Sequence, residues 1–174
     1  MDSQNTFVIN GTFDNPIPST NKLKKFVEKM EAGFSLQKIL VNKKNKKATF
    51  YSKFKHNRAQ VTLAVNLGKD NKTPVTNKSD YFLIGNSRVK GVRIKIASNE
   101  LDAVMTRVGY INLGVAFVGF DAVDAHNINR GIGFHGSSKD ELEPTDGCIR
   151  MYNSDLKILY PFMIKNIKVF IVEV

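Results

Sequence analysis

Apolar residues in this 174-residue chain fall at helical spacing in two places and follow strand patterns elsewhere. Leu23, Phe26, Val27 and Met30 stand at i, i+3, i+4 and i+7, so they share one helical face. Ser19 or Thr20 offers an N-cap and Gly33 a stop, which predicts an amphipathic helix over 20–32 with Lys22, Lys25 and Lys29 on its outer face. A second helix is expected after residue 152. Asn153 or Ser154 caps it, Asp155 sits where the helix dipole favours an anion, Leu156, Leu159 and Tyr160 share one face, and Pro161 ends it. Between the two helices the period is that of strands. Gln37–Val41 and Ala48–Tyr51 flank the turn Asn42-Lys43-Lys44-Asn45-Lys46-Lys47 as a hairpin. Gln60–Asn66, Tyr81–Ile84 and Val89–Ala97 read as further strands, and Lys168–Val174 closes the chain as another. Val108–Phe120, with Gly109, Gly114 and Gly119 inside it, reads as two short strands or a bulged one. Phe7-Val8-Ile9 reads as a lead-in strand, with turn chemistry at Asn10-Gly11 and at Asn15-Pro16-Ile17-Pro18. The sum is a mainly β fold with two helices, a mixed β-sheet or sandwich.

Charge narrows the classes of partner. The net charge is +10, from 26 basic and 16 acidic side chains, and residues 22–60 hold 12 of the former and 2 of the latter. That segment accounts for the whole excess. Such a field attracts polyanions: nucleic acid, anionic lipid or an anionic cell-wall polymer. The plainer alternative is a solvated basic face, and lysines at a hairpin tip also discourage edge-to-edge pairing. There is no Trp, and Tyr51 and Phe54 form no evident stacking platform, so nucleic acid is not expected. No run approaches 18 apolar residues, so no transmembrane segment is expected. Met1-Asp2-Ser3-Gln4-Asn5 lacks the basic and apolar regions of a signal peptide. The single Cys allows no internal disulfide. No His or Cys set has metal-ligand spacing and no Walker-type loop is present, so no metal or cofactor is expected. His56 reads as a surface-loop residue, and so does His126, with a second imidazole at the site as its alternative.

The chemistry concentrates in one stretch. Gly131-Ile132-Gly133-Phe134-His135-Gly136 is followed by Pro144-Thr145-Asp146-Gly147-Cys148-Ile149-Arg150-Met151-Tyr152-Asn153, which brings the lone Cys within 13 positions of a His, each beside glycine. A thiol needs a base to become a thiolate, and imidazole is the usual one. Flanking glycines let backbone N–H groups approach a reacting carbonyl. A lone Cys is otherwise most often a small buried hydrophobe. Here it lies between Gly147 and a polar run, while His135 ends an apolar run that would deliver it to a strand edge.

These residues resemble the signature of the L,D-transpeptidase catalytic domain, the YkuD-like family. The family shows a His-Gly pair, a variable loop, then Ser/Thr-His-Gly-Cys-Ile/Val-Arg-Met/Leu with Asn and Asp shortly after. The match is dense over residues 131–174, including Leu156–Tyr160 and Val169–Val172 as closing helix and strand. Upstream, Thr73-Pro74 and Tyr81-Phe82-Leu83-Ile84 are similar to the family's Thr-Pro-x-Gly-x-Phe, with Thr76 or Asn77 in place of its glycine. The resemblance implies a mixed-sheet catalytic domain over 35–174, preceded by an extension over 1–34 that carries the first helix.

By that resemblance Cys148 is the nucleophile and His135 its base, with a backbone carbonyl of Gly136 or Ser137 holding the imidazole. The amides of Gly147 and Cys148 form the oxyanion hole. Arg150, Asp146, Thr145, Phe134 and Ser137 make up the expected substrate-binding set; for Arg150 a structural salt bridge, for example to Asp155, is the alternative role. The implied reaction takes a peptidoglycan stem tetrapeptide, releases D-Ala and forms a 3→3 cross-link or exchanges the terminal residue. Water as acceptor would make an L,D-carboxypeptidase, and carbapenems would acylate Cys148. The implied location is the periplasm or cell wall, by an export route not visible in this chain. A secreted effector against another cell's wall and a non-catalytic module for wall or polyanion stay open. Two departures stand out. Asp146 replaces the family's His, and a carboxylate beside a thiol raises the thiol pKa. The loop Ser137–Pro144 is shorter than usual and carries Lys139, Asp140, Glu141 and Glu143.

Overall fold

Helix α1 (Asn21–Glu31) begins where the Thr20 hydroxyl accepts the Leu23 N–H at 3.3 Å and stops at Gly33, whose φ of +108° is in the left-handed region. A helix of 11 residues is marginal alone. Leu23, Phe26, Val27 and Met30 are all buried, and at about 1.5–3 kcal/mol per side chain their burial decides that it forms docked. The computed structural model describes residues 7–8, 19–77, 80–85, 96–97, 100–101, 114, 116–122, 131–137 and 141–174. Several expectations lie outside these: Ile9 and the turns over 10–18, most of Val89–Ala97, residues 108–113 and 115 of Val108–Phe120, His126, and Lys139 with Asp140 in the acidic loop.

Strand β1 (Phe7–Val8) is followed, after α1, by a three-strand meander, β2 (Ser35–Asn42), β3 (Lys47–Phe54) and β4 (Asn57–Ala64). Short strands β5 (Phe82–Leu83), β6 (Ile96–Ala97), β7 (Glu100–Leu101), β8 (Phe117–Gly119), β9 (Gly133–His135) and β10 (Ile149–Arg150) come next. Helix α2 (Asn153–Leu159) and β11 (Lys168–Val172) complete the chain. The larger sheet has the order β4-β3-β2-β11-β5, with β11 parallel to β2 and antiparallel to β5. A second mixed sheet has the order β10-β9-β8, and β1, β7 and β6 pair separately. The fold is thus mainly β with two helices and mixed sheets, as the periodicity predicts.

Aromatic rings join the two mixed sheets. Phe134 of β9 lies 6.3 Å from Phe50 of β3 and 5.5 Å from Phe120, and Phe120 stacks on Phe82 of β5 at 5.7 Å. Helix α1 packs on β4 and shares this core. Helix α2 buries Leu156 and Leu159 completely, then passes through a 3-10 turn at Tyr160–Phe162 where Pro161 ends the α-helical bonding.

Two details differ from expectation. Tyr152 occupies the N-cap position of α2 and gives no side-chain cap, while Asn153 is already helical and uses its carboxamide elsewhere. Lys43 is not a solvated hairpin-tip charge. Its side chain is 6 % exposed, and its ammonium donates to the Thr73 carbonyl at 2.8 Å and to Asn71 Oδ1, with Glu173 at 3.9 Å.

Candidate active site

Strands β9 and β10 run parallel, with Phe134 opposite Ile149 and His135 opposite Arg150. Side chains alternate along a strand. Phe134 and Ile149 therefore point to the core, both fully buried, and His135 and Arg150 share the other face. Cys148 stands immediately before β10, two residues ahead of Arg150. In extended chain a residue two steps from a paired neighbour has its Cα about 8 Å across the ladder, a gap that an imidazole and a thiol arm can span. Cys148 is half-buried and packs against the core from its margin.

His135 is buried, and its Nδ1 lies 2.6 Å from the Gly136 carbonyl oxygen. A carbonyl can only accept, so Nδ1 carries the hydrogen and Nε2 keeps its lone pair. Burial pushes the imidazole down to about pKa 4; the Gly136 carbonyl pulls upward, and the Arg150 guanidinium adds a further downward push. The ring is neutral near pH 7. Phe117 of β8 stacks beside it, centroids 6.5 Å apart.

The segment after His135 is gripped from α2. Asn153 Oδ1 accepts the Ser137 N–H at 3.1 Å and Asn153 Nδ2 donates to the Ser137 carbonyl at 2.7 Å. A methyl group at Gly136 or Gly114 would overlap Asn153 Oδ1, so the absence of a Cβ at both positions makes room for the carboxamide. The Ser137 hydroxyl in turn accepts the Glu141 N–H at 3.0 Å.

The turn before Cys148 is built from hydroxyls. Thr145 Oγ1 accepts the Gly147 N–H at 3.1 Å and donates to the Cys148 carbonyl at 2.5 Å. Thr73 Oγ1 accepts the Gly68 N–H at 2.7 Å and donates to the Gly147 carbonyl at 3.0 Å. Short bridges, Asn66 with Arg150 and Gly68 with Thr145, tie this turn to residues 66–73. Gly147 holds φ at +135°, a conformation that side chains rarely adopt.

The carboxylate next to Cys148 in the sequence is paired with two lysines. The Asp146 side chain is exposed, and its carboxylate lies 3.3 Å from Lys69 Nζ and 3.7 Å from Lys72 Nζ. The Lys69 hydrogen bond and charge, then the charge of Lys72, hold its pKa below the ordinary value. The two ammonium groups offset the repulsion that a bare carboxylate would exert on a thiolate. Arg150 is buried, donates to the Glu143 carbonyl at 3.2 Å and lies 3.8 Å from the Glu143 carboxylate. Its buried Nε has no hydrogen-bond partner among the described residues.

The structure thus gathers His135, Gly136, Ser137, Thr145, Gly147, Cys148 and Arg150 around the β9–β10 pair. Phe134 is withdrawn: it sits between Phe50 and Phe120 with no exposed surface, so it backs β9 instead of meeting a substrate. The Gly147 N–H, expected as an oxyanion donor, is bonded here to Thr145 Oγ1. Thr73, Asn66, Lys69 and Lys72 were not among the expected site residues; only the Thr73-Pro74 dipeptide gave any sign of this segment. Among the described residues no group of three His, Cys, Asp or Glu could hold a metal ion, and no helix is long and apolar enough to cross a membrane.

Residues 37–171 match the YkuD family, described as the L,D-transpeptidase catalytic domain. Among solved structures, Bd1075 of Bdellovibrio bacteriovorus is similar with a TM-score of 0.56 at 16% identity, covering 91% of this chain and 51% of that one. The helical cell shape determining protein Pgp2 of Campylobacter jejuni gives 0.52 at 16% identity, covering 88% and 56%. The chain therefore spans about half the length of these solved proteins, and identities this low speak for the fold alone. No curated protein matches the sequence.

Proposed function

The chain belongs to the YkuD family of L,D-transpeptidase catalytic domains, and from that premise we propose that it is a cysteine acyltransferase of peptidoglycan stem peptides. The observation that carries the reading is the His135 ring, neutral and held through Nδ1 by the Gly136 carbonyl at 2.6 Å, on the strand paired with β10, which Cys148 immediately precedes. A neutral imidazole with a bare Nε2 is the form that takes a thiol proton.

In the proposed reaction Nε2 removes the Cys148 proton as sulfur adds to the carbonyl of the L,D bond before the terminal D-Ala. The tetrahedral intermediate collapses, the C–N bond breaks, and the imidazolium returns the proton to the departing D-Ala amine. A thioester remains on Cys148. The amine of a neighbouring stem then attacks it, His135 accepts the amine proton and returns it to the thiolate, and a 3→3 cross-link forms with the thiol restored. The buried Nε of Arg150 offers a donor for a substrate carboxylate. Thr145 and Gly147 hold the nucleophile's turn, and the Lys69–Asp146–Lys72 cluster supplies fixed charge at its rim. Its place of action is the cell wall or periplasm.

The test is a digest of purified muropeptides containing donor and acceptor stems, with wild type and Cys148→Ala compared by mass spectrometry. Release of D-Ala with new dimers in wild type alone is the expected result. Release without dimers moves the acceptor to water. Identical profiles for the two proteins would overturn the catalytic reading.

A further inference from the structure

We propose that Asn153 is a positioning residue whose carboxamide, acting through one peptide unit, fixes the His135 imidazole with Nδ1 bonded and Nε2 directed to the Cys148 thiol. The inference rests on the reaction proposed above and adds a residue that never touches the substrate.

The geometry turns on which atoms belong to one plane. The Gly136 carbonyl and the Ser137 N–H are the two ends of a single peptide group, which is rigid and, when trans, points them in opposite directions. His135 Nδ1 lies 2.6 Å from the carbonyl end, and Asn153 Oδ1 accepts from the N–H end at 3.1 Å. Imidazole and carboxamide thus grip the same plate from opposite sides. The second bond, Asn153 Nδ2 to the Ser137 carbonyl at 2.7 Å, prevents the carboxamide from flipping, since a flip would set oxygen against oxygen and NH2 against N–H. Asn153 is only 3 % exposed, so both bonds lie away from competing water.

The surroundings agree with this role. Asparagine at a helix start commonly serves as an N-cap, yet here Tyr152 holds that position and the Asn153 carboxamide reaches back to the strand exit. Gly114 and Gly136 both leave open the volume that Oδ1 occupies, so the chain makes room for this amide from two separate segments. The parallel ladder explains the meeting: the Met151 N–H donates to the His135 carbonyl at 2.8 Å, so the two chains leave the sheet side by side and reach residues 137 and 153 together. A carboxylate commonly orients a catalytic imidazole; in this site a neutral carboxamide does so at one remove, which adds no negative charge to raise the imidazole pKa.

The test compares wild type, Asn153→Asp and Asn153→Ala. Nitrogen-edited NMR of the histidine rings reads tautomer and titration directly, with His56 and His126 as internal controls, and muropeptide kinetics are run in parallel. Wild type is expected to hold one Nδ1–H tautomer at His135. Asn153→Asp keeps the Oδ1 acceptor and loses the Nδ2 donor; Asn153→Ala loses both. Increasing tautomer mixing, a His135 titration lowered from about 4 in Asn153→Ala as the Gly136 acceptor loosens, and a kcat loss reaching roughly 10- to 100-fold in the same variant with KM within about threefold are the expected results. An unchanged tautomer and titration in a folded variant would overturn the proposal, and Asn153→Asp decides if Asn153→Ala fails to fold. If wild type does not act on muropeptides the reaction falls, while the ring spectra still decide the clamp.

Discussion

The meander β2–β3–β4 and the site sheet β8–β9–β10 are held by different means. In the meander, β3 pairs with β4 at eight successive positions and with β2 at seven. Its cross-strand hydroxyl pair, Thr49 with Thr62 at 2.9 Å, is exposed. In the site sheet, β9 meets β10 at two positions and β8 at three. What the short ladders lack is supplied by individual buried side chains: Thr73, Thr145 and Asn153, each bonded to backbone on two sides. A long ladder spreads its load over repeated, equivalent bonds. A turn that must present a thiol and an imidazole cannot be a ladder, so its shape depends on bonds without substitutes.

If that contrast is right, apolar truncation hurts most where the regions meet and polar truncation hurts only in the site. Phe50, fully buried on β3 against Phe134, is the joint. Phe50→Ala is expected to cost about 3–5 kcal/mol in urea unfolding, and a cost below about 1 kcal/mol would mean that the sheets do not share one core.

Protonation of His135 comes next in size. Its folded pKa of about 4 lies below the ordinary imidazole value of 6.5, so between these values the unfolded chain binds more protons. Stability is therefore full above pH 6.5 and falls as the pH drops toward 4, by about 3 kcal/mol. Unfolding at pH 7 and pH 4.5 should show this loss in wild type and not in His135→Phe. Turnover should show an acid limb near the same value, as Nε2 takes up its proton.

The finest probe removes the same hydroxyl in both regions. Thr73→Val leaves the Gly147 carbonyl and the Gly68 N–H unpaired in a buried turn, and about 1–3 kcal/mol is expected. Thr49→Val on the meander surface should stay within about 0.5 kcal/mol, because water replaces the lost partner. Equal costs in thermal unfolding would erase the distinction between the regions.

Much of the fold can be read locally. Four apolar residues at helical spacing and a glycine stop define α1, and alternation defines the hairpin, because each signal lies within one element. The site is legible in its residue types and not in its bonds. Which acceptor takes the Gly147 N–H depends on the Thr145 hydroxyl two residues back, a local competitor that the glycine itself does not announce. The Thr73 bond to Gly147 crosses 74 positions of sequence and has no periodic trace. Phe134 carries the same identity whether it lines a groove or fills a core, and the parallel register of β9 with β10 puts it in the core.

The hairpin turn Lys43–Lys46 carries three lysines of very unequal standing, since Lys43 alone is drawn under residues 71–73 while Lys44 and Lys46 are not held in this way. Against an amine-reactive label the neighbours would modify first and Lys43 last, at the rate at which the segment carrying Thr73 lifts away. One slow lysine would then serve as a clock for the opening of the wall on which the Cys148 turn is built.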